Sequence, residues 1–140
     1  MHILEFTIFN AFLWWNAREE LNQYKKVAQG NFLLELNQDF FFNDRLYNLR
    51  KAIESNQPIF KTKGGGFTEQ DVDDYLGTFD LIENLISSKI LDENLVLDTF
   101  CDYAEEAYEN QETKDYIANL RKNYPEAWGR FEDFAKRCSK

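Results

Sequence analysis

The sequence predicts an all-α fold: a single domain of five to six helices, bundle-like or orthogonal, with no sheet. Three observations carry this. Apolar residues recur at three- and four-residue steps in one segment after another. Residues that cap helices stand just ahead of several of those stripes. No segment alternates apolar and polar residues between turn signals, as a half-buried strand would. The 140 residues suffice for one domain, and surface scaling lets such a chain bury roughly two-thirds of its unfolded area without a disulfide or metal staple.

The first helix, residues 1–30, opens on an unusual segment. Ile3, Leu4, Phe6, Thr7, Ile8, Phe9, Ala11, Phe12, Leu13, Trp14 and Trp15 cover nearly the whole circumference of a helix with 3.6 residues per turn. From Asn16 the pattern narrows to Leu21, Tyr24, Val27 and Ala28, an ordinary one-sided stripe. Gly30 reads as a helix stop and Asn31 as the next cap. Thirteen helical residues reach only about 20 Å, against roughly 30 Å of hydrocarbon, so the segment is too short to span a membrane. Three coverings for Phe6, Phe9, Phe12, Leu13, Trp14 and Trp15 stay open: the core, a homodimer seam, or peripheral contact with a membrane.

Residues 31–140 form the helical domain. Phe32 to Phe42 continue the apolar run. Asn43 caps a helix carrying Leu46, Leu49 (or Arg50) and Ile53, ended by Asn56-Gln57-Pro58. The glycine-rich loop at 61–66 has two readings. Lys61 and Lys63 beside Gly64-Gly65-Gly66 suggest a phosphate cradle, but the spacing is not that of a phosphate-binding loop and no strand precedes it. A mobile linker is the simpler expectation.

Thr68 and Asp71 form a variant capping box for the clearest helix, with Val72, Tyr75, Leu76, Phe79, Ile82, Leu85 and Ile86 on one face. After Ser87 to Leu91, Asp92 is expected to cap a helix carrying Val96, Phe100, Tyr103, Ala104 and Ala107. A shorter helix from Thr113 to Lys122 presents Ile117 and Leu120. Pro125 suits the first position of the last helix, whose stripe is Trp128, Phe131, Phe134 (or Ala135) and Cys138. The expected core includes Phe79, Ile82, Ile86, Val96, Phe100, Trp128 and Phe131.

Chemistry is thin. The lone histidine, His2, leaves no imidazole for zinc sites, nucleophile relays or helical di-iron motifs. Cys101 and Cys138 lie on apolar stripes without an activating neighbour and read as reduced structural thiols of a cytoplasmic protein. No signal peptide pattern precedes the apolar start, so secretion is not indicated. The expectation is no catalytic residue, no cofactor and no metal.

Charge is uneven. Between Glu69 and Glu112 stand 14 acidic residues and one basic residue, a net −13 that leaves +4 elsewhere in a chain of −9. So acidic a chain is a poor direct nucleic-acid binder, because phosphate neutralisation supplies most of that affinity. Asp98, Asp102, Glu105 and Glu109 share one helix face. They suit a basic protein partner or a hard cation, although solvated helix faces often carry such rows.

The run Asp73-Asp74-Tyr75-Leu76-Gly77-Thr78-Phe79-Asp80 to Ile86, followed by Lys89-Ile90-Leu91-Asp92-Glu93-Asn94-Leu95-Val96 and the later Trp128, Phe131 and Glu132, resembles a family of small uncharacterised bacterial helical proteins classed as a domain of unknown function. The resemblance covers about residues 32 to 138. It implies a helical fold, often preceded by a membrane helix that this chain's short apolar start does not match. It transfers no catalytic residue. The leading functional expectation is therefore a non-enzymatic protein-interaction module, cytoplasmic and at the inner membrane surface or acting as an adaptor. The alternative is an acidic inhibitor, of phage type, that mimics nucleic-acid charge and blocks a nucleic-acid-binding protein. A carboxylate enzyme using a divalent metal is the third.

Overall fold

The computed structural model describes the backbone from His2 and the side chains from Ile8 to Lys140. Among the described residues six α-helices follow one another: α1 (His2–Phe41), α2 (Asp44–Glu54), α3 (Glu69–Ser87), α4 (Leu97–Glu109), α5 (Gln111–Leu120) and α6 (Gly129–Cys138). Single 3-10 turns stand at Lys61–Lys63 and Glu93–Leu95. Among the described residues there is no strand, only an isolated bridge between Phe60 and Phe67. The chain divides into two compact units, Met1–Leu36 and Asn37–Lys140.

Helix α1 does not stop at Gly30 but continues to Phe41. A helical glycine costs about 1 kcal/mol relative to alanine without forcing a break. The good helix formers around it, among them Ala28, Gln29, Leu33, Leu34 and Leu36, outweigh that cost. None of Ile8, Phe9, Phe12, Leu13, Trp14 and Trp15 is buried.

In the second unit local signals set the helix starts. The Asn43 side chain accepts from the Leu46 N–H, and Leu46, Leu49, Arg50 and Ile53 are all buried on α2. Thr68 and Asp71 complete a reciprocal capping box at α3, which buries Val72, Tyr75, Leu76, Phe79 and Ile82. Asn110 caps α5 by accepting from the Thr113 N–H.

Aromatic rings fill the core. Phe40 lies 5.3 Å from Tyr75, 5.7 Å from Phe79 and 5.3 Å from Phe100, centroid to centroid. Phe79 carries the cluster on to Phe131 and Phe134 of α6. Pairs at such spacings add about 0.5–1.5 kcal/mol beyond the area they bury. Through this cluster α6 lies against α3 and α4.

Several expectations need correction. Asp92 caps the 3-10 turn by accepting from the Asn94 N–H, and α4 starts at Leu97 without a side-chain cap. Pro125 opens a turn, and the helix begins only at Gly129. Trp128, at φ 58°, holds the left-handed conformation that ends this turn. It and Ile86 are half-buried rather than core, because Phe131, Phe134 and Ala135 already fill the space that α6 encloses. The two cysteines are not free thiols: Cys101 on α4 and Cys138 on α6 form a disulfide. The glycine-rich segment is not a loose linker but a closed, hydrogen-bonded loop.

Candidate interaction surfaces

Each unit carries its own candidate surface. On the N-terminal helix Ile8, Phe9, Phe12, Leu13, Trp14 and Trp15 are widely open to solvent, from 49% for Leu13 to 64% for Trp14. At 100° per residue, Trp14 stands nearly opposite Phe12, with Phe9, Leu13, Ile8 and Trp15 spread between. Hence apolar surface faces several directions at once. The Arg18 guanidinium sits over the Trp14 ring at 5.4 Å, where polar sequence begins. Phe6 lies outside the described side chains. No described helix is long and apolar enough to cross a membrane.

In the helical domain the glycine loop builds a groove. Lys61 N–H donates to the Phe67 carbonyl, Lys63 and Gly65 N–H to that of Phe60, Gly64 N–H to that of Lys61, and Phe67 N–H to that of Ile59. Gly64 takes φ 89°, which glycine adopts at little cost. Gly65 is pressed so closely on the Ile59 carbonyl that a Cβ there would overlap it. From α5, the Glu112 carboxylate accepts from Ile59 N–H at 2.9 Å and Phe60 N–H at 3.3 Å.

The donors a phosphate would need are therefore largely spent inside the loop. This removes the phosphate-cradle reading. What remains is an open groove of about 510 Å³, lined by Phe60, Phe67 and Tyr116 with Lys61, Lys63, Glu69 and Asp115 around them. Tyr116 O–H donates to Asp73 at 2.7 Å. Burial first, then that hydrogen bond, raises its pKa well above the usual tyrosine value and keeps it a donor.

The acidic stretch is not one charged face. Asp71 and Asp74 pair with Arg45, and Asp73 holds Tyr116. Asp80 accepts from the Phe131 N–H, while Glu83 and Glu93 hold Arg137. With Asp92 and Glu112, these acids bind the domain to itself. The predicted row on α4 does face outward: Asp98, Asp102 and Glu109 are exposed and Glu105 is half-buried. Among the described residues no group of three or more His, Cys, Asp or Glu is placed to hold a metal ion.

Arg50 is the residue that sequence reasoning under-read. Its guanidinium is buried under four rings, 4.9 Å from Tyr103, 5.0 Å from Tyr47, 5.2 Å from Phe41 and 5.6 Å from Phe40. Its Nη1 and the neighbouring Tyr75 hydroxyl have no hydrogen-bond partner among the described residues. The signal was present, because Arg50 follows Leu46 by four residues on the apolar face. Glu112 gave no such signal, since its partners lie 52 and 53 residues away.

The sequence model of a family described as Domain of unknown function (DUF4760) matches residues 6–138. The chain belongs to this family. The DUF4760 match takes in α1 from Phe6 onward as well as the helical domain, further toward the N-terminus than the motifs quoted above. No curated protein matches the chain, and no solved structure does.

Proposed function

We propose that this DUF4760 chain is a non-enzymatic interaction module that seats the aromatic segment of its N-terminal helix in a lipid surface and offers its helical domain to a protein partner. The observation that carries the reading is the wide angular spread of exposed Ile8, Phe9, Phe12, Leu13, Trp14 and Trp15. A helix packed against a single partner covers one face and leaves the opposite one wet. Lipid closes around a helix on every side. Trp14 and Trp15, followed by Arg18, give the order of residues expected at the headgroup level. The segment from Ile3 to Trp15, about 20 Å long as a helix, matches one leaflet rather than a full span. The acidic row Asp98, Asp102, Glu105 and Glu109 is the surface on the domain that suits a basic partner.

Flotation with phosphatidylcholine–phosphatidylglycerol vesicles tests the lipid seat. The full chain should float, and a chain lacking residues 1 to 15 should not, while the two keep the same helical signature per residue of the domain. Replacing Phe9, Phe12 and Trp14 together by Ser should have the same effect with no truncation. A full chain that stays with the soluble fraction overturns the reading. Sedimentation as a dimer without flotation would assign the segment to a homodimer seam instead.

A further inference from the structure

We propose that the helical domain matures in an oxidising compartment, where a disulfide-bearing thiol oxidoreductase joins Cys101 to Cys138 and locks the last turn of α6 onto α4. These are the chain's two cysteines, and both are used in the one bond.

The helix frame brings the pair together without needing the bond to do so. Phe131, Phe134 and Ala135 are buried and set the face that α6 turns inward. One residue before Cys138, Arg137 grips Glu83 of α3 with Nε and Nη2 and Glu93 with Nη1. On α4, Phe100 and Ala104 take the buried positions around Cys101. With both helices held this way, the two Cα atoms stand 5.3 Å apart, inside the 4.4–6.8 Å range that disulfides occupy.

Neither cysteine is needed as core filling. Both are half-buried, while the fully buried places beside them belong to Phe100, Ala104, Phe134 and Ala135. The bond closes a loop with 37 residues of sequence separation that contains all of α5, so it constrains the unfolded chain strongly. Such bonds persist where the thiol pool is oxidised and are rare where it is reduced.

The chemistry balances by two exchanges. The thiolate of one cysteine attacks a sulfur of the oxidoreductase's disulfide and displaces that protein's other sulfur as a thiolate. The second cysteine's thiolate then attacks the mixed disulfide, forming the Cys101–Cys138 bond and releasing the oxidoreductase as a dithiol. Two protons and two electrons leave this chain, and the oxidoreductase is reduced by the same two. Joined to the lipid reading, on which this one extension rests, the bond places the domain on the oxidising side of the membrane rather than at a cytoplasmic face.

Thiol trapping in cells that naturally make the chain tests the bond. Cells are quenched in acid, and the full chain is reacted with a maleimide of known mass before and after reduction. The expected result is no added maleimide before reduction and two after it. Two maleimides without reduction overturn the proposal. A second arm equilibrates the reduced, purified full chain with a disulfide-bearing thiol oxidoreductase in glutathione poised as in an oxidising compartment. The bond should form; two maleimides still adding to the chain under those conditions overturn the proposal as well. Neither arm measures lipid binding, so vesicle flotation can fail while this inference stands.

Discussion

Arg137 of α6 grips Glu83 of α3 through two nearly parallel hydrogen bonds, Nε to Oε2 at 2.9 Å and Nη2 to Oε1 at 2.8 Å. The Glu83 side chain is only 4% exposed and that of Arg137 31%. The third guanidinium nitrogen reaches Glu93 at 2.8 Å. One side chain thus ties α6 to both α3 and the turn that leads into α4.

Arg137→Ala should therefore cost about 3 kcal/mol, because it strands a buried carboxylate. Arg137→Lys should recover only part of the loss, since an ammonium cannot reproduce the fork. Urea denaturation of the three proteins checks the order. The pair Glu83→Leu with Arg137→Met should lie closer to the native chain than Arg137→Ala does, since it leaves no charge buried alone.

Gly65 and Gly66 are adjacent but should respond oppositely. A Cβ at Gly65 overlaps the Ile59 backbone, which cannot turn aside as a side chain would, whereas at Gly66 there is open space. Gly65→Ala is expected to destabilise by about 2 kcal/mol, in the range of overpacking. Gly66→Ala should be neutral or stabilising by a few tenths, roughly, through the unfolded chain. Thermal melts of the two variants decide it, and equal effects would contradict the close approach.

The ring cage of Arg50 makes a prediction about shape against charge. Arg50→Ala removes the guanidinium from four rings and leaves a void, at a cost of about 3 kcal/mol. Arg50→Met keeps most of the volume and relieves the unpartnered Nη1, so about 1 kcal/mol is expected. If Met proves as costly as Ala, the charge rather than the packing holds this site.

Glu106 sets a pH dependence. Its pKa is raised, first by desolvation and then by Glu54, Asp102 and Glu109, with Arg50 opposing them. A carboxyl whose folded pKa lies above its unfolded one favours the fold when protonated, and that contribution is lost as pH rises through the folded value. Glu106→Gln should raise the melting temperature at neutral pH. The advantage should vanish at about pH 3, below the ordinary carboxylate range. An advantage that is equal at both pH values would rule out the charge as its cause.

The sequence alone determined what neighbours along the chain can settle. The Thr68–Asp71 capping box, the Asn43 cap and the stripes of α3 and α4 all act within three or four residues, so their spacing can be read directly. The all-helical class follows from them, as does most of the expected core: Phe79, Ile82, Val96, Phe100 and Phe131. The apolar belt near the N-terminus was equally legible, because its abundance of Phe and Trp does not depend on what covers it.

Tertiary structure decided whatever depends on a distant partner. Gly30 looks like a stop until the helix continuing beyond it outweighs the glycine cost. Trp128 looks like part of a helical stripe until Phe131 and Phe134 occupy the core and leave it on the turn. The acidic stretch looks like a row of solvated acids until Arg45, Tyr116 and Arg137 draw five of its 14 carboxylates into the domain. The glycine loop is closed by Glu112, which is 52 and 53 residues from the N–H groups it holds. Cys101 and Cys138 find each other across 37 residues because α4 and α6 carry them there. Spacing along the chain encodes which face a residue takes on its own helix, but only packing fixes which helix that face meets.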